Sequence, residues 1–456
     1  MSSLFGTLSI ALRSLLAQQG ALDVTGNNIA NVNTRGYARQ RPILNETPPV
    51  RIGSLVLGTG VSLDKVEGIR DRILELRIHQ ETQRDGELDA FLRAMHQVEA
   101  AFNEAKDVGL GNLLDNFFNN LLQLSTDPSS LPLRQGVLAA AGDLANGFNR
   151  RAESLAGLQS SLNLEVTQAV KDINTLTAEI ADLNRRVSGL EAIGKDALAF
   201  EDRRTNLIRD LSKLVDIAVI DAGGGSLTIT TSNGTALVVG DTHVELQTQI
   251  VAGFQNIFAQ GADITATITS GQLGGQLEVR DQTIPSILAD LDSLAADLAN
   301  SVNAVHTAGF DLFGAAGGNF FVPPPGGGVG AAGVLAVALT DPALVAASLD
   351  GQPGDNANLL ALIDLRDQGI IGGQRPTEFY SGLIFRIGDD IANASADSEA
   401  QSLVLRQLAN QRSSISGVSL DEEAVNLIRF QRAFEASARV VSVVDELTQT
   451  VINMAR

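Results

Sequence analysis

Residues 5–22 read FGTLSIALRSLLAQQGAL and residues 440–454 read VVSVVDELTQTVINM. In the first stretch Phe5, Leu8, Leu12, Leu15, Gln19 and Leu22 recur at alternating steps of three and four. In the second, Val440, Val444, Leu447, Val451 and Met454 do the same. That spacing lays each set along one helix face at nearly a heptad rhythm. Helices of this length are marginal alone, and burying one stripe does not offset the entropy of ordering the backbone. The two ends therefore need partners: each other first, then neighbouring subunits. The expectation is a coiled coil in which Leu12, Leu15 and Leu22 face Val444, Leu447 and Val451. About the first 30 and last 35 residues should be mobile in the free chain and ordered in an assembly.

The rest of the chain lies between these ends. At 456 residues it is long enough for roughly two to four domains. It has no Cys, which removes thiol catalysis, disulfides and Cys-based zinc sites together. Net charge is −20, a balance that disfavours nucleic acid and anionic membranes. No apolar run approaches the ~20 residues of a membrane span, so no membrane insertion is expected. Met1 to Gln19 lacks a basic leading segment, so a cleaved signal peptide is not expected either. Residues 1–41 carry four Arg against Asp23, net +3, while residues 417–456 carry six acids against four Arg, net −2. The ends are weakly complementary.

Periodicity predicts helix over 4–30, short extended pieces over 41–66, two helices between 69 and 125, and helix again over 131–214. From Val215 to 283 the chain turns rich in Thr, Val, Ile and Gly, with alternation at Ser226-Leu227-Thr228-Ile229-Thr230 and a hairpin signal at Asn233-Gly234. Helix returns at 284–306. Residues 309–355 are Gly- and Pro-rich, the composition of a surface excursion. Residues 356–456 are again mainly helical.

The predicted fold class is multidomain α+β, with the terminal helices paired in an elongated, coiled-coil-like helical trunk and a β-rich domain inserted. Residues 1–40 and 417–456 form the terminal assembly domain. Residues 41–214, 284–308 and 356–416 form the helical trunk. Residues 215–283 and 309–355 form the outer β-rich domain. That domain is expected to project from the trunk and to be replaceable over 220–280 by a short linker.

Nothing in the sequence assembles a catalytic site. His79, His96, His243 and His306 are scattered without zinc spacing and read as solvated or core side chains. The Gly runs at 223–225 and 326–330 lack the Lys-Ser/Thr of a phosphate loop and read as turns. Asp290, Asp292 and Asp297 lack the central Gly of a calcium loop and read as a solvated helix face. No cofactor and no enzyme activity are expected.

The segment that stands out is Asn27-Asn28-Ile29-Ala30-Asn31-Val32-Asn33-Thr34-Arg35-Gly36-Tyr37-Ala38-Arg39-Gln40. Asn side chains bond nearby backbone and tolerate left-handed geometry, Gly36 permits a tight bend, and Tyr37 suits an interface. By physics alone this is also an ordinary helix terminus. Placed directly after a heptad helix, it resembles the signature of bacterial flagellar axial proteins, the rod, hook and hook-associated proteins. Tyr37-Ala38-Arg39-Gln40 is most similar to the hook-associated branch. Further similar blocks are Gly58-Thr59-Gly60-Val61 before Arg70-Asp71, Leu124-Ser125-x-x-Pro128 with Arg134-Gln135, and Asp202-Arg203-Arg204 before Leu211. Others are Gly271-x-Leu273-Gly274-Gly275 before Arg280-Asp281, Asn303-x-x-His306-x-x-Gly309, and Gly417-Val418-Ser419-Leu420-Asp421-Glu422-Glu423. Arg204 departs from the acidic residue expected there.

The resemblance implies a structural protein of the flagellum, exported unfolded through the flagellar type III apparatus. It would form a ring on the distal hook, at the hook–filament junction outside the cell. Implied partners are further copies of itself in a ring or helical array, the hook protein, a second junction protein (FlgL-like), and a cytoplasmic export chaperone (FlgN-like) on the C-terminal region. The alternative is another axial subunit, of rod or hook. An enzyme fused to an axial segment, such as a muramidase, would need a carboxylate pair that nothing here supplies. The residues expected at the assembly interface are Leu8, Leu12, Leu15, Leu22, Asn28, Asn31, Gly36, Tyr37, Arg39, Phe434, Val444, Leu447 and Val451.

Overall fold

The computed structural model describes residues 2–52, 55–102 and 109–454. The chain opens with a long helix, α1 (Ser2–Ala30), and closes with another, α11 (Leu420–Met454), and the two pack together. After α1 comes a ribbon: β1 (Gln40–Glu46), β2 (Val50–Ile52), β3 (Leu55–Leu57) and β4 (Val61–Gly68). β1 pairs antiparallel with β4, and β2 with β3, so residues 40–68 double back on themselves. This ribbon leans on α1. Residues 41–68, assigned to the helical trunk from sequence, are therefore a strand ribbon beside the N-terminal helix.

The trunk follows as α2 (Arg72–Ala101), α3 (Leu110–Thr126), α4 (Leu131–Glu191) and α5 (Leu198–Leu214). Asp71 caps α2 by accepting the N–H groups of Ile73 and Leu74 at 3.0 and 3.1 Å. Pro132 stands in the first turn of α4, where its missing N–H costs nothing. At 61 residues α4 is about 90 Å long and serves two cores in succession.

The first core gathers Met95, Leu114, Phe117, Phe118, Leu121, Leu144 and Phe148 with residues from further along the chain. The Phe117 ring sits 5.3 Å from Phe118, 5.8 Å from Phe320 and 5.9 Å from Phe321. Residues 309–355, which include α8 (Ala331–Val334), thus pack into the helical core and not onto the β-rich insertion expected from their composition. The anchors sit on α7 (Ile284–Ala308). Asn303 accepts the N–H groups of Phe320 and Phe321 at 2.8 Å and donates to the Phe321 carbonyl at 2.9 Å. His306 donates from Nδ1 to the Gly318 carbonyl and accepts the Ala346 N–H at Nε2. Burial holds its imidazole below the usual histidine range, which keeps that acceptor available. Asp292, read as solvated, accepts the N–H groups of Gly330 and Ala332. Arg134 is buried and donates to the carbonyls of Pro128, Ala343 and Val345.

The second core joins the far half of α4 to two small sheets. One has the order β5 (Ala218–Gly223), β6 (Ser226–Thr230), β7 (Ala236–Val239), β8 (Thr242–His243). The other is formed by β9 (Leu246–Val251), β10 (Phe254–Ala259) and β11 (Ala262–Asp263). Val166, Val170, Ile173 and Ile180 of α4 face Ile229, Leu237, Leu246 and Ile257. Three α4 side chains staple the sheets edgewise. Asn163 accepts from Gln255 N–H, Asn174 brackets the backbone of Leu246, and Asn184 brackets Leu227 and bonds the Gly240 carbonyl. Arg204 closes the same corner, donating to Asn184 Oδ1 and the Gly225 carbonyl, so its departure from the family pattern has a structural use.

The insertion ends earlier than composition suggested. α6 (Gly271–Glu278) and the π-helical turn Val279–Thr283 belong to the trunk, because α6 packs closely on α2. A Cβ at Gly275 would lie 2.3 Å from the Glu87 carbonyl oxygen, and one at Gly86 would lie 2.2 Å from that of Lys213. Removing 220–280 would delete α6 and strip the α4 face that Leu273 and Leu277 help cover. α9 (Ala357–Asp364) completes the first core, and α10 (Pro376–Ser416) runs back along α2 to meet α11 at Gly417.

Candidate assembly interface

The Asn-rich segment forms a polar latch where five parts of the chain converge. Asn28, fully buried at the end of α1, donates from Nδ2 to the Gln40 carbonyl (2.8 Å) and to Glu423 of α11 (3.2 Å). Its Oδ1 accepts the Gln40 N–H (2.9 Å) and the Tyr37 hydroxyl (2.8 Å). One amide thus satisfies both backbone groups of the residue that starts β1. Glu423 is 2 % exposed and takes a charge-assisted bond from Arg39 Nε at 2.7 Å, while Arg39 Nη1 reaches Glu422 at 2.5 Å. Arg39 N–H donates to the Ser416 carbonyl at 2.9 Å, tying the same residue to the end of α10. Burial, with Asp202 and Glu423 nearby, pushes the Tyr37 phenol up to about 12, so it stays a neutral donor. Asn31 bonds back to Asn27 and accepts from Thr34, shaping the loop from within.

Gly36 is the one position in this loop that needs glycine. Its φ is +79°, and a Cβ would fall 1.8 Å from Asn206 Oδ1. Its carbonyl accepts from Arg412 of α10 at 3.0 Å. Arg412 also pairs with Glu75 of α2, which Arg209 of α5 approaches at 2.9 Å. Burial pushes the Glu75 carboxyl up, but Arg412 and Arg209 outweigh it and hold it below the usual carboxylate range. His79 lies one turn further along α2, buried and pushed down to about 4, by burial first and by Arg209 against the opposing pull of Glu75.

The helix pair beyond the latch is antiparallel. Asn28 meets Glu423, and Ser14 meets Ser437 at 2.7 Å. In that register Leu8 lies beside Val444, and Leu22 lies a dozen or so residues, about 20 Å, away from it along the helix. The expected facing of Leu12, Leu15 and Leu22 with Val444, Leu447 and Val451 is therefore overturned. The α1 seam is mainly small and polar, with Ala11, Ala17, Ala21, Val24, Thr25 and Asn28 buried and Leu8, Leu15 and Leu22 half-buried. On α11 the inner positions are Glu423, Leu427, Phe430, Phe434, Ser437, Val441, Val444 and Thr448, at alternating steps of four and three. Leu12 and Leu447 face outward, 54 % and 48 % exposed, and Leu16, Val440 and Val443 extend those outer faces. Phe5 and Val451, also exposed, line the open end of the seam. Only Val444 of the predicted C-terminal stripe is buried.

Comparison with known proteins covers the chain end to end. It is 33 % identical to flagellar hook-associated protein 1 of Bacillus subtilis, over 99 % of both chains. The chain belongs to the flagellar hook-associated protein 1 family. Family members in Escherichia coli and Salmonella typhimurium are 26 % and 25 % identical to it, over the full length of each chain. Residues 95–321 match a profile described as the flagellar hook-associated protein FlgK helical domain. The ends match profiles shared more widely: 8–37 that of a flagella basal body rod protein, and 409–454 that of the flagellar basal body rod FlgEFG protein C-terminal region. The Asn28–Glu423 and Arg39–Glu423 contacts join these two segments, Arg39 standing just beyond the first. A flagellar hook junction protein from Burkholderia pseudomallei shares the fold, with a TM-score of 0.67 at 17 % identity over 75 % of this chain and all of that one. The protein is thus a flagellar axial structural protein of the hook–filament junction. The rod-type profiles cover only the ends, which disfavours the reading as a rod or hook subunit. Among the described residues no three or more His, Asp or Glu side chains are grouped to hold a metal, and no helix is long and apolar enough to cross a membrane.

Proposed function

We propose that the α1–α11 pair is the axial assembly element of this junction subunit and that the protein acts without catalysis. The observation that carries this is the apolar surface left outside a helix pair that is already closed. Leu12 and Leu16 on α1, and Val440, Val443 and Leu447 on α11, stay exposed in the single chain. Contiguous apolar patches of this kind mark protein–protein contact. Copies of the chain cover one another's outer faces in a ring on the distal hook. Hook protein lies on one side and the second junction protein, FlgL-like, on the other. Before export by the flagellar type III route, a FlgN-like chaperone covers the same apolar face of α11.

Leu447→Asp tests the reading. Position 447 is half-exposed, so a carboxylate there remains solvated in the free chain and costs little stability. In a subunit interface it is buried and unpaired, which costs several kcal/mol. The variant should be secreted and folded by circular dichroism, yet micrographs should show bare hooks with filament protein in the medium. Normal filaments on the variant strain would overturn the assignment of α11's outer face.

A further inference from the structure

The terminal helix pair and the trunk share very little surface. Among the described residues, α1, the ribbon and α11 pack closely only on one another. Neither of the two large apolar cores takes a residue from them; their members run from Ala94 to Ile391. The small cluster of Leu74, Ile78 and Leu408 joins α2 to α10, within the trunk.

The chain passes between the two parts twice. Residues 69–71 link β4 to α2, and residues 417–419 link α10 to α11. Asp71 and Gly417 both have extended backbone, so each crossing is a short stretch of single chain outside any helix. The crossings lie side by side. Ile69 N–H donates to the Arg39 carbonyl at 2.8 Å, and Arg39 N–H donates to the Ser416 carbonyl at 2.9 Å. Arg39, part of the latch, thus has one crossing on each edge.

Away from this pivot, one face of α5 carries the loop before Arg39. Asp202 accepts the Ala38 N–H at 3.3 Å, Asn206 donates to the Arg35 carbonyl at 3.0 Å, and Asp210 pairs with the Arg35 side chain at 2.9 Å. Steps of four put these three residues on one helix face. The loop itself travels with the terminal pair, held there by Tyr37 on Asn28 and Arg39 on Glu423. Arg412 and Asp196 add single bonds, to the Gly36 carbonyl and the Val66 N–H. Arg35 and Asp210 are both exposed, so their pair holds weakly. Two parts joined by a few polar bonds, without a shared apolar core, are free to move relative to one another unless something else holds them. Such motion concentrates in a few loop or element-terminal residues, the description that 69–71 and 417–419 meet.

We propose that α1, the ribbon and α11 swing on the trunk as one body about the crossings at 69–71 and 417–419. The Asp202, Asn206 and Asp210 face of α5 is the stop that holds the orientation seen in this structure. If α1–α11 is the axial assembly element, the swing sets the tilt of the trunk against the axis. That consequence rests on the proposed function; the swing does not.

The chain has no cysteine, so paired spin labels report without background. Gln80→Cys on α2 with Ala436→Cys on α11 spans the joint, and Asp23→Cys with Ala436→Cys stays within the terminal pair; all three positions are exposed. Distances are read by pulsed electron paramagnetic resonance on the full free chain. The expected result is a narrow distribution for the second pair and a second, longer or shorter, population for the first. Adding Asn206→Ala and Asp210→Asn, which loosens the stop, should raise that second population about threefold or more. Asp210→Asn alone gives a smaller rise in the same direction, should the double variant fold poorly. One narrow distance across the joint, with and without the loosening substitutions, overturns the swing. A second population that these substitutions leave unchanged overturns the role of α5 as the stop. A broad distribution within the terminal pair overturns its movement as one body. None of these outcomes depends on assembly, so a failure of the swing is distinct from a failure of the axial reading, which Leu447→Asp tests.

Discussion

The Phe117 core and the α1–α11 pair are both helical packings, yet they dispose of apolar surface in opposite ways. Around Phe117 every large side chain is inside: Phe118, Phe148, Phe320 and Phe321 are all essentially unexposed, and a polar frame of Asn303, His306 and Arg134 holds the covering loop in place. In the terminal pair the α1 side of the seam is largely small and polar, the α11 side carries Leu427, Phe430, Phe434, Val441 and Val444, and many of the large apolar residues are still outside. The first region is finished within one chain. The second is closed by a latch at one end and left open along its flanks, which is the disposition of a part meant to be covered later. On the proposed reading, stability and assembly fall to different regions of the molecule.

Four substitutions or conditions would break or sharpen that contrast, and the largest effect is in the core. Phe117→Ala should lower unfolding free energy by about 3–5 kcal/mol, read by urea denaturation, because it leaves a cavity among three other rings. A loss under about 1 kcal/mol would mean that the core is loosely packed.

The next effect is a pH dependence from His79, between trunk and latch. Unfolded, it takes a proton near 6.5; folded, only near 4. Between these values the unfolded chain binds more protons, so stability is full above 6.5 and falls as pH drops toward 4. Each tenfold difference in proton affinity is worth about 1.4 kcal/mol, which makes the whole effect roughly 3 kcal/mol. Glu75, held below the usual carboxylate range in the fold, changes stability with the same sign as pH falls and so does not mask the slope. His79→Gln should flatten the difference between urea midpoints at pH 7 and 4.5; an unchanged difference would assign the slope elsewhere.

Glu423→Ala removes the α11 acceptor of Asn28 and of Arg39 Nε, leaving Arg39 only Glu422, and should cost about 1–3 kcal/mol. Because the latch lies at one end of the pair, amide exchange should rise first in α1 and α11 and leave α4 unchanged. Equal acceleration in α4 would show the two regions to be one cooperative unit.

Smallest of all, Leu447→Ala should shift the free chain's stability by about 0.5 kcal/mol or less. In the wild-type free chain, α1 and α11 should exchange faster than α4. Strong protection over Leu8–Leu22 and Val440–Met454 in dilute monomer would contradict the view that these helices await partners.

Much of this was legible in the residues, and the gaps have particular causes. The helical ends, the stop after Ala30 and the β-rich character after Val215 all follow from periodicity and turn chemistry. The asparagines at 28 and 31 were identifiable as turn formers, though not Asn28 as the partner of Glu423, a residue at the far end of the chain. Residues 309–355 were misplaced because Gly and Pro dominate the average. Phe320 and Phe321, together with the Asn303-x-x-His306 pair that receives them, were the overlooked signal. The three α4 asparagines at 163, 174 and 184, about three helical turns apart, were a second such signal, marking where sheets would be stapled.

The terminal helices mark the limit most sharply. Spacing alone established that residues 5–22 and 440–454 lie on amphipathic helices made for pairing, and the motif after Ala30 placed the chain in its family. It did not establish which stripe faces inward. On α11 Val441 and Val444 are inside while Val440, Val443 and Leu447 are outside, and all are equally apolar. A helix with two apolar stripes carries a period but no reference for its interior. That reference comes only from the register of the partner, set here by Asn28 on Glu423 and Ser14 on Ser437, contacts between residues that only the folded chain brings together.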